Sequence, residues 1–173
     1  MESRVIHEVF QHTHDGSAVY LSASLIFREA EYFVPGLGKA LHVGANRGAT
    51  GIDGVLSSGI GFGEGLHEPC TVLIGDQALL HDLNALALVS SAGVPVYVMA
   101  INNRSGAIFH FFDLGGTGER LRNPHLWDFR GVAENFHLSY VCPSSIGDFI
   151  TAYQKAQAAR QSTLFEIFVD GES

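Results

Sequence analysis

At 173 residues, with 46% hydrophobic and 16% charged residues, the chain has the composition of one globular domain with a proper core, which excludes an intrinsically disordered polypeptide. The 10 Lys and Arg against 18 Asp and Glu give a net charge of −8 with no basic cluster, which argues against a nucleic-acid or anionic-membrane surface. No apolar run nears the roughly 20 residues that span a bilayer, and Met-Glu-Ser-Arg-Val-Ile-His lacks a signal-peptide pattern, so a cytoplasmic location is expected.

The elements alternate along the chain. Residues 3–14 suit a helix and Ala18–Ser22 a short strand. Ser24 is placed to cap a helix running to about Phe33, and Lys39–Val43 reads as a second strand. Ile52–Gly65 reads as a helix despite Gly54, Gly59, Gly61 and Gly63. Each interior glycine costs up to about 1 kcal/mol relative to alanine, so this helix is expected to press its backbone against a sheet or a partner subunit. Cys70–Ile74 and Val96–Ile101 are β-branched apolar runs and read as central strands, separated by a helical segment at Asp82–Val89. Phe111 to Phe129 is irregular, with Gly115-Gly116 and Asn123-Pro124. Leu138–Val141 is a strand, Ser145–Arg160 an amphipathic helix capped by Ser144 or Ser145, and Leu164–Val169 the last strand. Six strands with intervening helices predict a three-layer α/β/α sandwich on a parallel sheet. Cys70 and Cys142 lie beside predicted strands and are expected to be buried thiols rather than a bridge.

The candidate chemistry sits at strand ends. Gly75-Asp76 closes one central run and Asn102-Asn103 closes the next, 27 residues on from Asp76 to Asn103, which is what a strand, a short helix and two loops consume. Carboxyl-side strand tips of an open parallel sheet form the ligand crevice. An Asp and an Asn there offer hard oxygens suited to Mg²⁺ holding a diphosphate. Each residue alone has an ordinary explanation, as a helix cap or a loop amide; two at consecutive tips, with Asp76 expected to face solvent, point to a metal–diphosphate site. Nine histidines include His12-Thr13-His14, but no Cys or carboxylate nearby completes a transition-metal set. The glycine-rich stretch 44–65 lacks Gly-Lys-Ser/Thr and so is not a P-loop.

Gly-Asp, some two dozen residues, then Asn-Asn resembles the diphosphate-binding motif of thiamine-diphosphate (ThDP) enzymes, with Gln77 where a glycine is commoner. Three flanking stretches narrow the resemblance: Asn46-Arg47-Gly48-Ala49-Thr50-Gly51-Ile52-Asp53-Gly54, Asp82-Leu83-Asn84-Ala85-Leu86-Ala87-Leu88, and Asn102-Asn103 followed by Gly106-Ala107-Ile108-Phe109. Together they resemble the 2-succinyl-5-enolpyruvyl-6-hydroxy-3-cyclohexene-1-carboxylate (SEPHCHC) synthase family of menaquinone biosynthesis, over nearly the whole chain but only about the C-terminal third of such an enzyme.

The resemblance implies a single ThDP diphosphate-binding domain over residues 1–173, without the family's N-terminal pyrimidine-binding and central domains. It implies that Asp76, Asn103 and the backbone carbonyl of Ser105 ligate Mg²⁺ (or Mn²⁺), that amides near Asp76-Gln77-Ala78 assist the phosphates, and that Ile52 is the apolar wedge beneath the cofactor. Ser24, Arg28 and Arg47 match the family's substrate-binding segments, and arginine forks suit dicarboxylic substrates. Ile108, Phe109 and Phe112 would form an apolar wall beside the substrate. The implied reaction decarboxylates 2-oxoglutarate and adds the resulting carbanion to isochorismate. The activating Glu would come from the pyrimidine-binding domain of a second subunit in a homo-oligomer, so this chain alone is expected to be inactive. Two alternatives stand beside this reading. One is the same domain of another ThDP carboligase or 2-oxoacid decarboxylase of acetohydroxyacid-synthase-like type. The other is a non-catalytic α/β binding module.

Overall fold

A computed structural model describes residues 2–34, 36, 38–46, 51–106 and 123–169. In chain order its elements are α1 (Glu2–His12), β1 (Ala18–Leu21), α2 (Leu25–Phe33), β2 (His42–Ala45), α3 (Val55–Leu66), β3 (Cys70–Gly75), α4 (Asp76–His81) and a 3-10 turn (Leu83–Ala85). There follow α5 (Leu86–Ser91), β4 (Val96–Asn102), α6 (Arg130–Asn135), β5 (Ser139–Val141), α7 (Ile146–Ala159) and β6 (Thr163–Phe168). The strands form one six-stranded sheet in the order β2-β1-β3-β4-β6-β5, and every pairing is parallel. This is the expected α/β/α sandwich.

The unbroken apolar runs of β3 and β4 have a direct cause, since both faces of the sheet are covered. Val72, Ile74, Val96, Val98 and Ala100 point to one face, where they meet Val55, Leu56, Leu79, Leu86 and Ala133 from α3 to α6. Leu73, Tyr97, Met99 and Ile101 alternate to the other, against Val5, Ile6, Val9, Ile26 and Phe149 from α1, α2 and α7. At the centre of the second layer Tyr153 is fully buried. Its hydroxyl is satisfied by Thr13 Oγ1 at 2.9 Å and Thr71 Oγ1 at 2.6 Å, which ties α1, β3 and α7 together.

The glycines of α3 pack as expected, against the sheet. A Cβ added at Gly59 would lie 2.6 Å from Val72 Cγ2, and one at Gly63 would lie 2.6 Å from Cys70 Cβ, whereas Gly61 and Gly65 face open space. The helix therefore carries a close-approach face and an unconstrained face. Gly59→Ala is expected to destabilise the chain by about 1–3 kcal/mol through overpacking. Gly61→Ala is expected to stabilise it by up to about 1 kcal/mol through helix propensity. Urea denaturation midpoints moving in opposite directions would bear this out; equal shifts of one sign would refute the packing assignment.

Several boundaries differ from the sequence reading. The second strand begins at His42 rather than Lys39, because Lys39 and Ala40 are tethered to the α1–β1 turn. Lys39 Nζ donates to Gln11 O and to Thr13 O, and Ala40 N donates to Asp15 Oδ1 at 2.7 Å. The third helix starts at Val55, leaving Ile52 in the loop before it. The expected helix at Asp82–Val89 is instead a 3-10 turn followed by α5. Asp82 is buried and turned away to serve another helix, accepting from Leu56 N at 2.7 Å and Ser57 N at 3.2 Å and so capping α3 from outside. A short helix, α6, follows the irregular stretch where none was expected. Cys70 is buried as expected, but Cys142 is exposed, lying beyond the short edge strand β5.

Candidate metal–diphosphate site

Strand order reverses between β1 and β3: the chain proceeds outward from β1 to β2, then returns past β1 to build the rest of the sheet. Crevices at such switch points are where open α/β sheets bind ligands. The tips of β1, β3 and β4 lie side by side there, since Leu21 pairs with Leu73 and Gly75 with Ile101. Asp76 follows β3 directly as the first residue of α4, and Asn103 follows β4.

Asp76 is 2% exposed and so not the solvent-facing tip that the sequence suggested. Its Oδ1 accepts from Gln77 N at 2.6 Å. Its Oδ2 accepts from Ser105 N at 3.1 Å and lies 3.1 Å from His125 Nε2. The same Ser105 N–H also donates to Asn103 Oδ1 at 3.1 Å. One proton is thus shared between the Asp76 carboxylate and the Asn103 amide oxygen, which brings both candidate ligands into one small volume beside Ser105. Burial pushes the Asp76 carboxyl above the usual carboxylate range, opposed by the Gln77 amide, His125 and the Ser105 amide. Glu2, at the start of α1, hydrogen-bonds the Asn103 side chain, and burial with the Glu29 and Asp76 carboxylates nearby pushes its pKa up to about 7. A buried carboxylate and a hard amide oxygen, crowded by further acids, form a donor set that fits a divalent cation such as Mg²⁺.

No protein-family model matches the chain. Individual proteins do. It is 38% identical over 163 residues to the SEPHCHC synthase of Chlorobaculum tepidum, which covers 91% of this chain and 28% of that enzyme. It is 41% identical over 157 residues to the synthase of Rubrobacter xylanophilus, covering 88% of this chain and 27% of that enzyme. With the synthase of Halobacterium salinarum it shares 34% identity over 178 aligned positions, 100% of this chain and 30% of that enzyme. The chain belongs to the SEPHCHC synthase family. It spans less than a third of the length of the curated relatives it matches.

The remaining residues suggested by the SEPHCHC synthase resemblance fall into four groups. Gln77 and Ala78 lie in the first turn of α4; Gln77 exchanges side-chain and backbone bonds with Asn123, and Ala78 is buried in the core. Ile52 is half-buried and packs against the first core layer. Ser24 and Arg28 are brought together at the β1 tip, though not as expected. The Ser24 hydroxyl makes no capping bond, and Ser24 adopts φ 74°, a conformation that costs a non-glycine residue of order 1–3 kcal/mol. Its carbonyl instead accepts from Arg28 Nη1 at 2.9 Å. Arg47, Ile108, Phe109 and Phe112 lie outside the described residues.

Sequence reasoning missed four contributors. His125 sits in the irregular stretch, where no periodicity marks it. Glu2 belongs to no motif that marks it. Asn102, the other half of the Asn-Asn pair, is fully buried, and its Nδ2 donates to Glu166 Oε1 at 2.6 Å and to Trp127 O at 3.2 Å. Its Oδ1 accepts from Arg104 N at 3.0 Å, turning the chain into the metal loop. Glu166, at 0% exposure, is the anchor beneath, its Oε2 accepting from Phe129 N at 2.9 Å and Tyr140 OH at 2.6 Å. An acid inside an otherwise apolar strand was the available signal.

Proposed function

We propose that this chain is the cofactor-diphosphate and Mg²⁺-binding domain of a SEPHCHC synthase. The observation that supports it most is the convergence of Asp76 Oδ2 and Asn103 Oδ1 on the single Ser105 amide. Asp76, Asn103 and the Ser105 carbonyl would hold Mg²⁺, a hard cation suited to a diphosphate. Gln77 and Ala78, in the first turn of α4, would assist the phosphates, and Ile52 would support the bound cofactor. Bound ThDP supplies the electron sink that decarboxylation of a 2-oxo acid requires. Arg28, pinned by one N–H to Ser24 O, keeps the rest of its fork for a carboxylate. With Arg47 it recognises the carboxylates of 2-oxoglutarate and isochorismate, and Ile108, Phe109 and Phe112 supply the apolar side of the pocket.

In the whole enzyme, a homo-oligomer, the pyrimidine half of the cofactor and its activating Glu belong to a second subunit's domain, so these 173 residues alone do not turn over. No helix among the described residues is long and apolar enough to cross a membrane; a cytoplasmic location is part of the proposal. The domain is tested by melting the purified chain with ThDP, Mg²⁺, both, or both plus EDTA. A rise in midpoint is expected only when both are present and free, as linkage requires of a ligand pair that binds the folded state. Identical midpoints in all four samples would sink the cofactor assignment. The substrate class is tested in the whole enzyme. Arg28→Ala and Arg47→Ala should each lower kcat/KM by about 10–100-fold, the equivalent of one charge-assisted hydrogen bond, with ThDP affinity unchanged. Full activity in both variants would remove the carboxylate roles.

A further inference from the structure

Residues 123–127 lie across the tips of β3 and β4 and touch each part of the metal loop. Asn123 Nδ2 donates to Gln77 Oε1 at 2.8 Å, and Trp127 O accepts from Asn102 Nδ2 at 3.2 Å. Between them His125 is held twice. Its backbone N donates to Arg104 O at 3.0 Å, and its ring Nε2 reaches Asp76 Oδ2 at 3.1 Å. The two side chains are 1% and 3% exposed, so this contact is shielded from water. His125 Nδ1 is buried without a hydrogen-bond partner, and the ring stacks on Trp127 at 4.8 Å between centroids and 13° between planes. Asp76 is therefore the one hydrogen-bond partner of this ring among the described residues. A carboxylate only accepts, which assigns the proton to Nε2.

We propose that His125 is the positioning residue of Asp76, orienting the carboxylate for the divalent cation by donating from Nε2 to Oδ2. The inference rests on the metal–diphosphate reading above. The chemistry is that of an outer-shell partner, which fixes the direction of a ligand oxygen and is worth roughly 10–100-fold in metal affinity. Without this donor, Asp76 keeps, among the described residues, the amide of Gln77, next to it in sequence, and that of Ser105, on the loop after β4. His125 adds a bond from a third segment, outside both strand-tip loops, and it is the one side-chain donor to the carboxylate among the described residues. Trp127 is the single tryptophan. Its stack on His125 gives the site a built-in optical reporter.

The donor and the stacking ring can be separated by substitution. His125→Phe keeps an aromatic ring over Trp127 and removes the donor, whereas His125→Gln keeps an amide N–H for Asp76 and removes the ring. The purified chain is titrated with Mg²⁺ at saturating ThDP, into the millimolar range, following Trp127 emission and, independently, heat by calorimetry. The wild type is expected to respond in both channels. His125→Phe should shift the midpoint 10–100-fold to higher Mg²⁺, and His125→Gln should restore it to within a few-fold while altering the emission signal. Circular dichroism melts of the metal-free variants control for folding. A His125→Phe midpoint equal to the wild type, or a His125→Gln midpoint no better than His125→Phe, overturns the positioning role. Asp76→Ala separates the two levels. If it binds Mg²⁺ and ThDP like the wild type, or if the wild type gives no response, the metal–diphosphate reading fails and takes this inference with it. If it abolishes the response while His125→Phe does not weaken it, only the inference fails.

Discussion

Asp76→Ala is expected to abolish Mg²⁺-dependent ThDP binding. The loss should exceed the roughly 10–100-fold that follows removal of an outer-shell partner, because the substitution removes a ligand oxygen itself. Asp76 is buried and receives the Gln77 amide, the Ser105 amide and His125, so truncation also strands donors. Loss of fold must therefore be separated from loss of site. Asp76→Asn does this: it keeps volume and one acceptor oxygen and removes a charge that burial disfavours, so although its NH2 replaces one accepting oxygen, the metal-free chain should lose no more than about 1–3 kcal/mol. Calorimetry should then show Asp76→Asn folded but strongly impaired in Mg²⁺–ThDP binding. Wild-type affinity in both variants would end the ligand assignment.

Glu166→Ala is expected to have the largest effect on stability. The side chain is completely buried and accepts from Asn102 Nδ2, Phe129 N and Tyr140 OH. Each buried donor left unpaired costs about 1–3 kcal/mol, against a total stability of only about 5–15 kcal/mol for a domain. The loss also releases Asn102, which carries the metal loop, and the turn into α6, so site and fold should fail together. Burial and then Glu166 push the Tyr140 hydroxyl well above its ordinary range, keeping it a donor to the carboxylate, while the Arg130 guanidinium covers its ring at 4.7 Å. Urea denaturation should show a large drop in midpoint with the slope retained. A change within about 0.5 kcal/mol, the range of ordinary surface substitutions, would show that the network contributes little.

The amino-acid pattern alone lays out the sheet. Six apolar runs separated by helical segments left a parallel α/β sandwich as the economical arrangement, and the doubly buried β3 and β4 were legible because burial on both faces erases polar alternation. It also determined where chemistry would sit, since Gly75-Asp76 and Asn102-Asn103 end consecutive strands and a parallel sheet aligns those ends. The glycines of α3 announced a close approach, and Gly59 and Gly63 make it.

How the site is held depends on long-range contacts. Asp82 caps a helix 25 to 26 residues earlier. His125 reaches a carboxylate 49 residues away, and Glu166 anchors an asparagine 64 residues away. None of these pairs shares an element, so no helical or strand period links them. Ser24 illustrates the same limit locally. A serine before an apolar helix reads as a cap, yet packing at the β1 tip turns its backbone to positive φ and presents the carbonyl to Arg28. Local propensity differs between conformations by about 1 kcal/mol, and the contacts that a buried polar group gains or forfeits through the fold are worth more. Element type and order follow from the short-range pattern for that reason, whereas the partners of each buried polar side chain follow from which segments the sheet happens to bring together.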